Sequence, residues 1–107
     1  MKEKPMWIKK AAPFLLKKSL GMKISISDEE ILPPSVIQFE KKILDRLTLL
    51  FYEDIAINGE RRYTCLLCKK SGFTRKGMFR HLFLVHREEV ESELVDVVQE
   101  AFESSRK

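Results

Sequence analysis

Tyr63-Thr64-Cys65-Leu66-Leu67-Cys68, followed by twelve residues, His81, four more residues and His86, is the stretch on which the reading of this chain turns. Every cysteine and every histidine of the 107 residues lies in it. Two thiolates two residues apart can come from one tight turn, and imidazoles projected from a helix can meet them there. That donor set suits tetrahedral zinc, so the spacing predicts one zinc ion held by Cys65, Cys68, His81 and His86. Four protein ligands leave no position for water or substrate, which makes the expected role structural. His81 and His86 are five residues apart, more than one helical turn, so the helix must distort or finish between them, with a break near Arg87. A redox Cys-x-x-Cys would need a thioredoxin-like strand–helix context, which these flanks lack.

The pattern around these ligands resembles the Cys-Cys-His-His zinc-finger family over roughly residues 58–87. Tyr63 stands two before the first cysteine, where the family carries an aromatic, and Met78 three before the first histidine, where it carries Leu. Asn58-Gly59-Glu60-Arg61-Arg62-Tyr63 is similar to the family's interfinger linker with Arg62 in place of Pro, or it is simply the first strand of the hairpin. The family's core Phe normally follows the second cysteine by four residues. Gly72 holds that place here and Phe73 comes one later, so the turn from hairpin to helix is expected to differ. The resemblance implies a ββα unit that places its helix in the DNA major groove and reads bases from helix positions −1, 3 and 6. Counted from His81 as position 7, these are Thr74, Gly77 and Arg80. Arg80 can grip a guanine edge and Thr74 is a modest reader, while Gly77 reads nothing. Arg75, Lys76, Lys69, Lys70, Arg61 and Arg62 suit phosphates, which supply affinity but little sequence choice.

Outward from the finger, the expected fold class is α+β and mostly helical, one ββα finger flanked by amphipathic helices. An N-terminal helical region spans 1–56, the finger 57–87 and an acidic C-terminal helix 88–107. Residues 5–20 carry Trp7, Ile8, Ala11, Phe14 and Leu15 at helical spacing, with Pro13 expected to kink or end the first part and Gly21 to terminate it. Met22–Ser27 alternates through Ile24 and Ile26 and reads as a short strand. Ser35 reads as an N-cap with Gln38 in the capping-box place, opening a helix over about 35–52 whose apolar face is Val36, Ile43, Leu44, Leu47, Leu50 and Phe51. Residues 55–64 read as extended. Val90, Leu94, Val97, Val98 and Ala101 recur at i, i+4, i+7, i+8 and i+11, and acids near the start suit the helix dipole. The two apolar stripes pack most simply on each other, and a dimer interface is the alternative. Trp7 with Phe14 reads as core before nucleic-acid stacking platform.

At 44% hydrophobic and 34% charged, the chain is too apolar for a disordered tail. No apolar run approaches the roughly 20 residues of a membrane span, and Lys9, Lys10, Lys17 and Lys18 interrupt the N-terminal stretch, so no secretory signal is read. One Cys-x-x-Cys and no disulfide framework point to a reducing, intracellular compartment: cytoplasmic in a prokaryote or host cell, nuclear in a eukaryote. Asn58, Gln38 and Gln99 are the only thermolabile amides, a composition that leans towards a thermophile. Short helix-flanked single fingers of such composition resemble small regulators encoded by archaeal viruses and plasmids.

The net charge of +4 is distributed in blocks: +6 over residues 1–23, −4 over 24–58, +7 over 59–87 and −5 over 88–107. The finger lies in the most basic block, which suggests one surface that meets a polyanion and another that stays acidic. The leading expectation is a zinc-stabilised nucleic-acid-binding protein. Double-stranded DNA is the expected ligand, RNA an alternative, and transcriptional regulation the expected role. One finger covers only about 600–1,000 Å², so the Lys-rich N-terminal stretch or a homodimer would supply further contact. The alternative function is a protein-interaction adaptor with Phe79 and Phe83 on a scaffolded surface. No enzyme and no small-molecule substrate are expected, because no histidine or cysteine remains for a nucleophile or base. A membrane is not the expected partner, although the basic N-terminal segment has the pattern of one that lies on an anionic surface.

Overall fold

The computed structural model describes residues 4–105. Six helices and one two-stranded antiparallel sheet follow one another: α1 (Met6–Ser19), α2 (Asp28–Ile31), α3 (Pro34–Ile37), α4 (Glu40–Leu47), β1 (Phe51–Ile55), β2 (Arg61–Cys65), α5 (Arg75–Leu84) and α6 (Arg87–Ser105). A 3₁₀ turn, Thr48–Leu50, joins α4 to β1. The fold is α+β and mostly helical.

Helix α1 buries Ile8, Ala11, Ala12, Leu15 and Leu16, one stripe at 3.6-residue spacing. Pro13 neither ends nor interrupts it. The carbonyl left without a proline N–H belongs to Lys9, an exposed residue where water can serve it. Gly21 does terminate the helix. With φ +76° it closes a Schellman motif, Met22 N–H donating to the Lys17 carbonyl at 2.8 Å and Gly21 N–H to that of Lys18 at 3.0 Å.

The strand expected over Met22–Ser27 is irregular chain. Its alternation is real, since Met22, Ile24 and Ile26 pack against the core while Lys23 and Ser25 face solvent. No strand among the described residues takes up its backbone. The helix expected over about 35–52 is divided. Pro34 sits at the first helical position and starts α3 after Pro33, so Ser35 lies inside the turn and does not cap it. Gln38 Nε2 donates instead to the Ser35 carbonyl at 3.3 Å. The chain restarts at Glu40, and the Thr48 hydroxyl draws the last turn tight by donating to the Asp45 carbonyl at 2.7 Å. Leu50 and Phe51 are buried as the helical spacing required, but Phe51 already begins β1.

Strands β1 and β2 pair from Phe51↔Cys65 to Ile55↔Arg61. Ala56 and Glu60 close the hairpin, with Gly59 at φ +84° between them and Asn58 Oδ1 accepting from Glu60 N–H at 3.1 Å. The linker-like segment thus enters a three-residue hairpin loop, Ile57-Asn58-Gly59, whose last residue must be left-handed.

Helices α1, α4 and α6 pack on one another, and α5 packs on α1, α6 and β2. Val90, Leu94, Val97, Val98 and Ala101 of α6 are all buried, together with Ile43 and Leu47 of α4. Phe39 meets Phe102 edge-on at 5.3 Å. Tyr63, Cys65, Met78 and Leu82, from the metal-ligand region, belong to this same cluster. Some of the charge is paired across the fold: Lys18 with Glu40 at 2.7 Å, Lys4 with Glu88 and buried Glu91 at 3.2 Å, and Arg46 with Glu93 and Glu100. No helix among the described residues is long and apolar enough to cross a membrane.

Candidate metal centre

Cys65 is the last residue of β2 and Cys68 closes the turn after it. Lys69 N–H donates to the Cys65 carbonyl and Cys65 N–H to the Lys70 carbonyl, both at 2.8 Å, which folds the chain back on itself. Lys69 takes φ +69° to do so. Leu66 N–H donates to the Leu50 carbonyl at 3.0 Å and pins the turn to the end of the 3₁₀ segment. After Gly72, at φ +84°, Phe73 bridges to Tyr63 through paired backbone bonds of 2.8 and 3.1 Å, so it stands as a one-residue third strand beside β2.

Thr74 then caps α5, its Oγ1 accepting from Gly77 N–H at 3.0 Å. The helix ends at Leu84, Val85 caps it, and α6 begins at Arg87, so the expected break falls between the two histidines. That break turns His86 back towards His81, with ring centroids 4.9 Å apart.

The four ligand atoms of Cys65, Cys68, His81 and His86 lie within 4.8 Å of one another, close enough to hold one metal ion. Bonds of about 2.0–2.3 Å in a tetrahedron imply ligand–ligand edges of about 3.3–3.8 Å. Cys68 Sγ and His81 Nε2 are already 3.3 Å apart. Both ring nitrogens of His86 are buried and make no hydrogen bond of ordinary geometry, although the ring stands beside the Cys68 sulfur. Burying an unpaired imidazole is costly, and a metal bond to one nitrogen removes part of that cost. Glu89 Oε2 stands 3.6 Å from His86 Nδ1, too far for a hydrogen bond but placed to steady the ring from outside. Burial pushes the Cys65 thiol up, whereas Cys68, exposed and met first by the Lys70 backbone N–H and then by His86, is held down to about 6. Two thiolates and two imidazoles fill a tetrahedral shell, so the arrangement suits a structural ion.

The residues expected at a nucleic-acid surface divide. Arg61 pairs with Glu53 across the hairpin at 3.2 Å, Arg62 with Glu60, and Arg75 Nε donates to Tyr63 Oη at 3.3 Å. Thr74 spends its oxygen on the helix cap. Lys69, Lys70, Lys76 and Arg80 are exposed, and among the described residues none has a carboxylate partner. Three contributions escaped the sequence reading: the Thr74 cap, the Phe73 ring stacked on His81 at 4.5 Å, and the Leu50 carbonyl. Only the first had a sequence signal, a threonine three before a helical N–H that needs an acceptor. No family model, curated protein or solved structure matches this chain.

Proposed function

We propose that the chain is a zinc-stabilised nucleic-acid-binding protein that engages double-stranded DNA and serves as a small transcriptional regulator. The observation that carries this reading is the pair Lys76 and Arg80. They lie one turn apart on α5, both exposed and, among the described residues, both without an acidic partner, within the most basic block of the chain. A helix row of that kind tracks a phosphate backbone, and Arg80 is also long enough to reach a base edge. Zinc is the metal that the donor set favours, and it fixes α5 against the β2 turn. Thr74 is committed to its cap and Gly77 has no side chain, so sequence choice from this face rests on Arg80. No catalytic role is proposed, since the metal site uses every histidine and cysteine.

The adaptor alternative leaned on Phe79 and Phe83. Both rings pack against the core and stack on each other at 5.7 Å, with Lys17 over the first and Arg87 over the second. They are committed to internal contacts, which favours the nucleic-acid reading.

The test is a titration of zinc-loaded protein into labelled mixed-sequence duplex DNA at two salt concentrations, beside Cys68→Ala, Lys76→Ala and Arg80→Ala. Binding should weaken steeply with salt and vanish in Cys68→Ala. Each cationic variant should flatten the dependence of log K on log salt by about one unit. Absence of binding at low salt sinks the proposal, and preferential binding of single-stranded RNA reassigns the ligand.

A further inference from the structure

The stacked rings of Phe79 and Phe83 each carry a cation, and the two cations differ in what meets their charge. Arg87 stands 4.8 Å from the Phe83 centroid, but its Nε donates to Glu91 at 3.1 Å, so its charge is answered within the protein. Lys17 Nζ stands 5.2 Å from the Phe79 centroid, and among the described residues no carboxylate meets it. A ring face attracts an ammonium through its quadrupole but leaves the three N–H donors free for an anion.

Helix geometry fixes what lies beside that ammonium. At about 100° per residue, Phe79, Phe83, Lys76 and Arg80 follow one another around α5 within an arc of about 100°. Burial changes in the same order: Met78 and Leu82 are buried, Phe79 and Phe83 half-buried, Lys76 and Arg80 exposed. The phenylalanines therefore lie between the core and the cationic row, and Lys17, reaching over Phe79 from α1, borders that row. Lys76 is one turn from Phe79, a spacing at which helix side chains are neighbours, and Arg80 follows Phe79 directly. Neither α1 nor α5 contains an acidic residue. The carboxylate that α4 brings to α1, Glu40, meets Lys18 at 2.7 Å.

We propose that Lys17 is a third nucleic-acid contact, so that the phosphate-binding surface crosses from α5 onto α1, and that Phe79 is the residue that positions it. This rests on the nucleic-acid reading of α5. Phosphates of one strand follow one another about every 3.4 Å of duplex axis, so three cations on one surface engage neighbouring phosphates of a strand lying along α5. A single finger covers little surface, and Lys17 widens it from within the same chain.

The experiment measures binding of the zinc-loaded full chain to labelled mixed-sequence duplex DNA over a series of salt concentrations. Lys17→Ala should weaken binding several-fold and flatten the dependence of log K on log salt by about one unit, as Lys76→Ala does. Lys42→Ala is the control, because it removes the same charge from an exposed residue in the groove between α4 and α6 and should leave the slope unchanged. Phe79→Leu keeps an apolar side chain and every charge but removes the ring face. At equal zinc content, Lys17→Ala should therefore cost less affinity in the Phe79→Leu background than in the wild type. Wild-type binding with an unchanged slope in Lys17→Ala, or an equal flattening in Lys42→Ala, would overturn this inference alone. Strict additivity of the Lys17 and Phe79 changes would remove Phe79 as the positioning residue. No binding by the wild type at low salt would overturn the nucleic-acid reading beneath it.

Discussion

The Phe73 ring lies on the imidazole of His81, centroids 4.5 Å apart and planes 29° from parallel. The stack explains how the chain tolerates Gly72 where an aromatic was expected. Gly72 at φ +84° turns the backbone, and the aromatic one residue later reaches the ligand while its own N–H and carbonyl bond to Tyr63. Phe73 therefore links the sheet to the metal site. Phe73→Ala should cost about 2 kcal/mol, below the roughly 3–5 kcal/mol of a fully buried aromatic because the ring is only partly buried. It should also speed zinc loss to a competing chelator, since His81 is freed to rotate. Unchanged release kinetics would reduce Phe73 to ordinary packing.

Thr74 and Gly77 form a single device. Thr74→Ala should lower stability by about 1 kcal/mol through loss of the cap, and Thr74→Ser should be close to neutral. Gly inside a helix costs about 0.8–1.0 kcal/mol against Ala, so propensity alone predicts that Gly77→Ala stabilises. A Cβ there would lie 3.0 Å from Thr74 Oγ1, which is held in place by the Gly77 N–H. Gly77→Ala should therefore give no gain in the wild type and a gain in the Thr74→Ala background. A double-mutant cycle by thermal melting measures the difference, and strict additivity would exclude the coupling.

These contrasts show what was legible in the sequence. The ligands were, because cysteine and histidine are rare and their spacing is set by turn and helix geometry. The buried face of α6 was, because one long helix carries its period unbroken. The span 35–52 was not. Leu50 and Phe51 satisfy a helical period by burial alone, and period cannot separate a helix end from a 3₁₀ turn that delivers the next residue to a strand. Met22–Ser27 fails in the converse way, since alternation reports which side chains face the core and is silent on whether a strand lies alongside. Asn58-Gly59 is both a hairpin-turn pair and part of a linker-like string, and only the pairing of β1 with β2 separates the two. The ion pairs that tie distant segments together join Lys4 to Glu91 and Arg46 to Glu100, which sequence distance hides.

Metal removal should divide the molecule rather than unfold it. Isolated finger peptides are unfolded without zinc. Here α1, α4 and α6 bury Leu15, Ile43 and Leu94 against one another without help from the ligands. Chelation should remove a minority of the far-ultraviolet helical signal. Amides of α5 and of the β1–β2 hairpin should exchange fast while those of α1 and α6 stay protected. Complete loss of ellipticity on chelation would show that Tyr63, Cys65, Met78 and Leu82 are indispensable to the shared core.

The two cysteines should differ sharply in the metal-free protein. A thiol held down to about 6 is mostly thiolate at neutral pH, and its nucleophilicity disappears as pH falls through that value. Cys65 is buried and shifted the other way, so it stays protonated and shielded over the same range. Iodoacetamide labelling of chelated protein from about pH 5 to about pH 9, read by peptide mass, should modify Cys68 first, with a midpoint near 6. Cys65 should label only at higher pH or after denaturation. Equal rates at neutral pH would mean that Lys70 N–H and His86 do not hold the Cys68 sulfur once the metal has gone, and that the ion itself assembles the site.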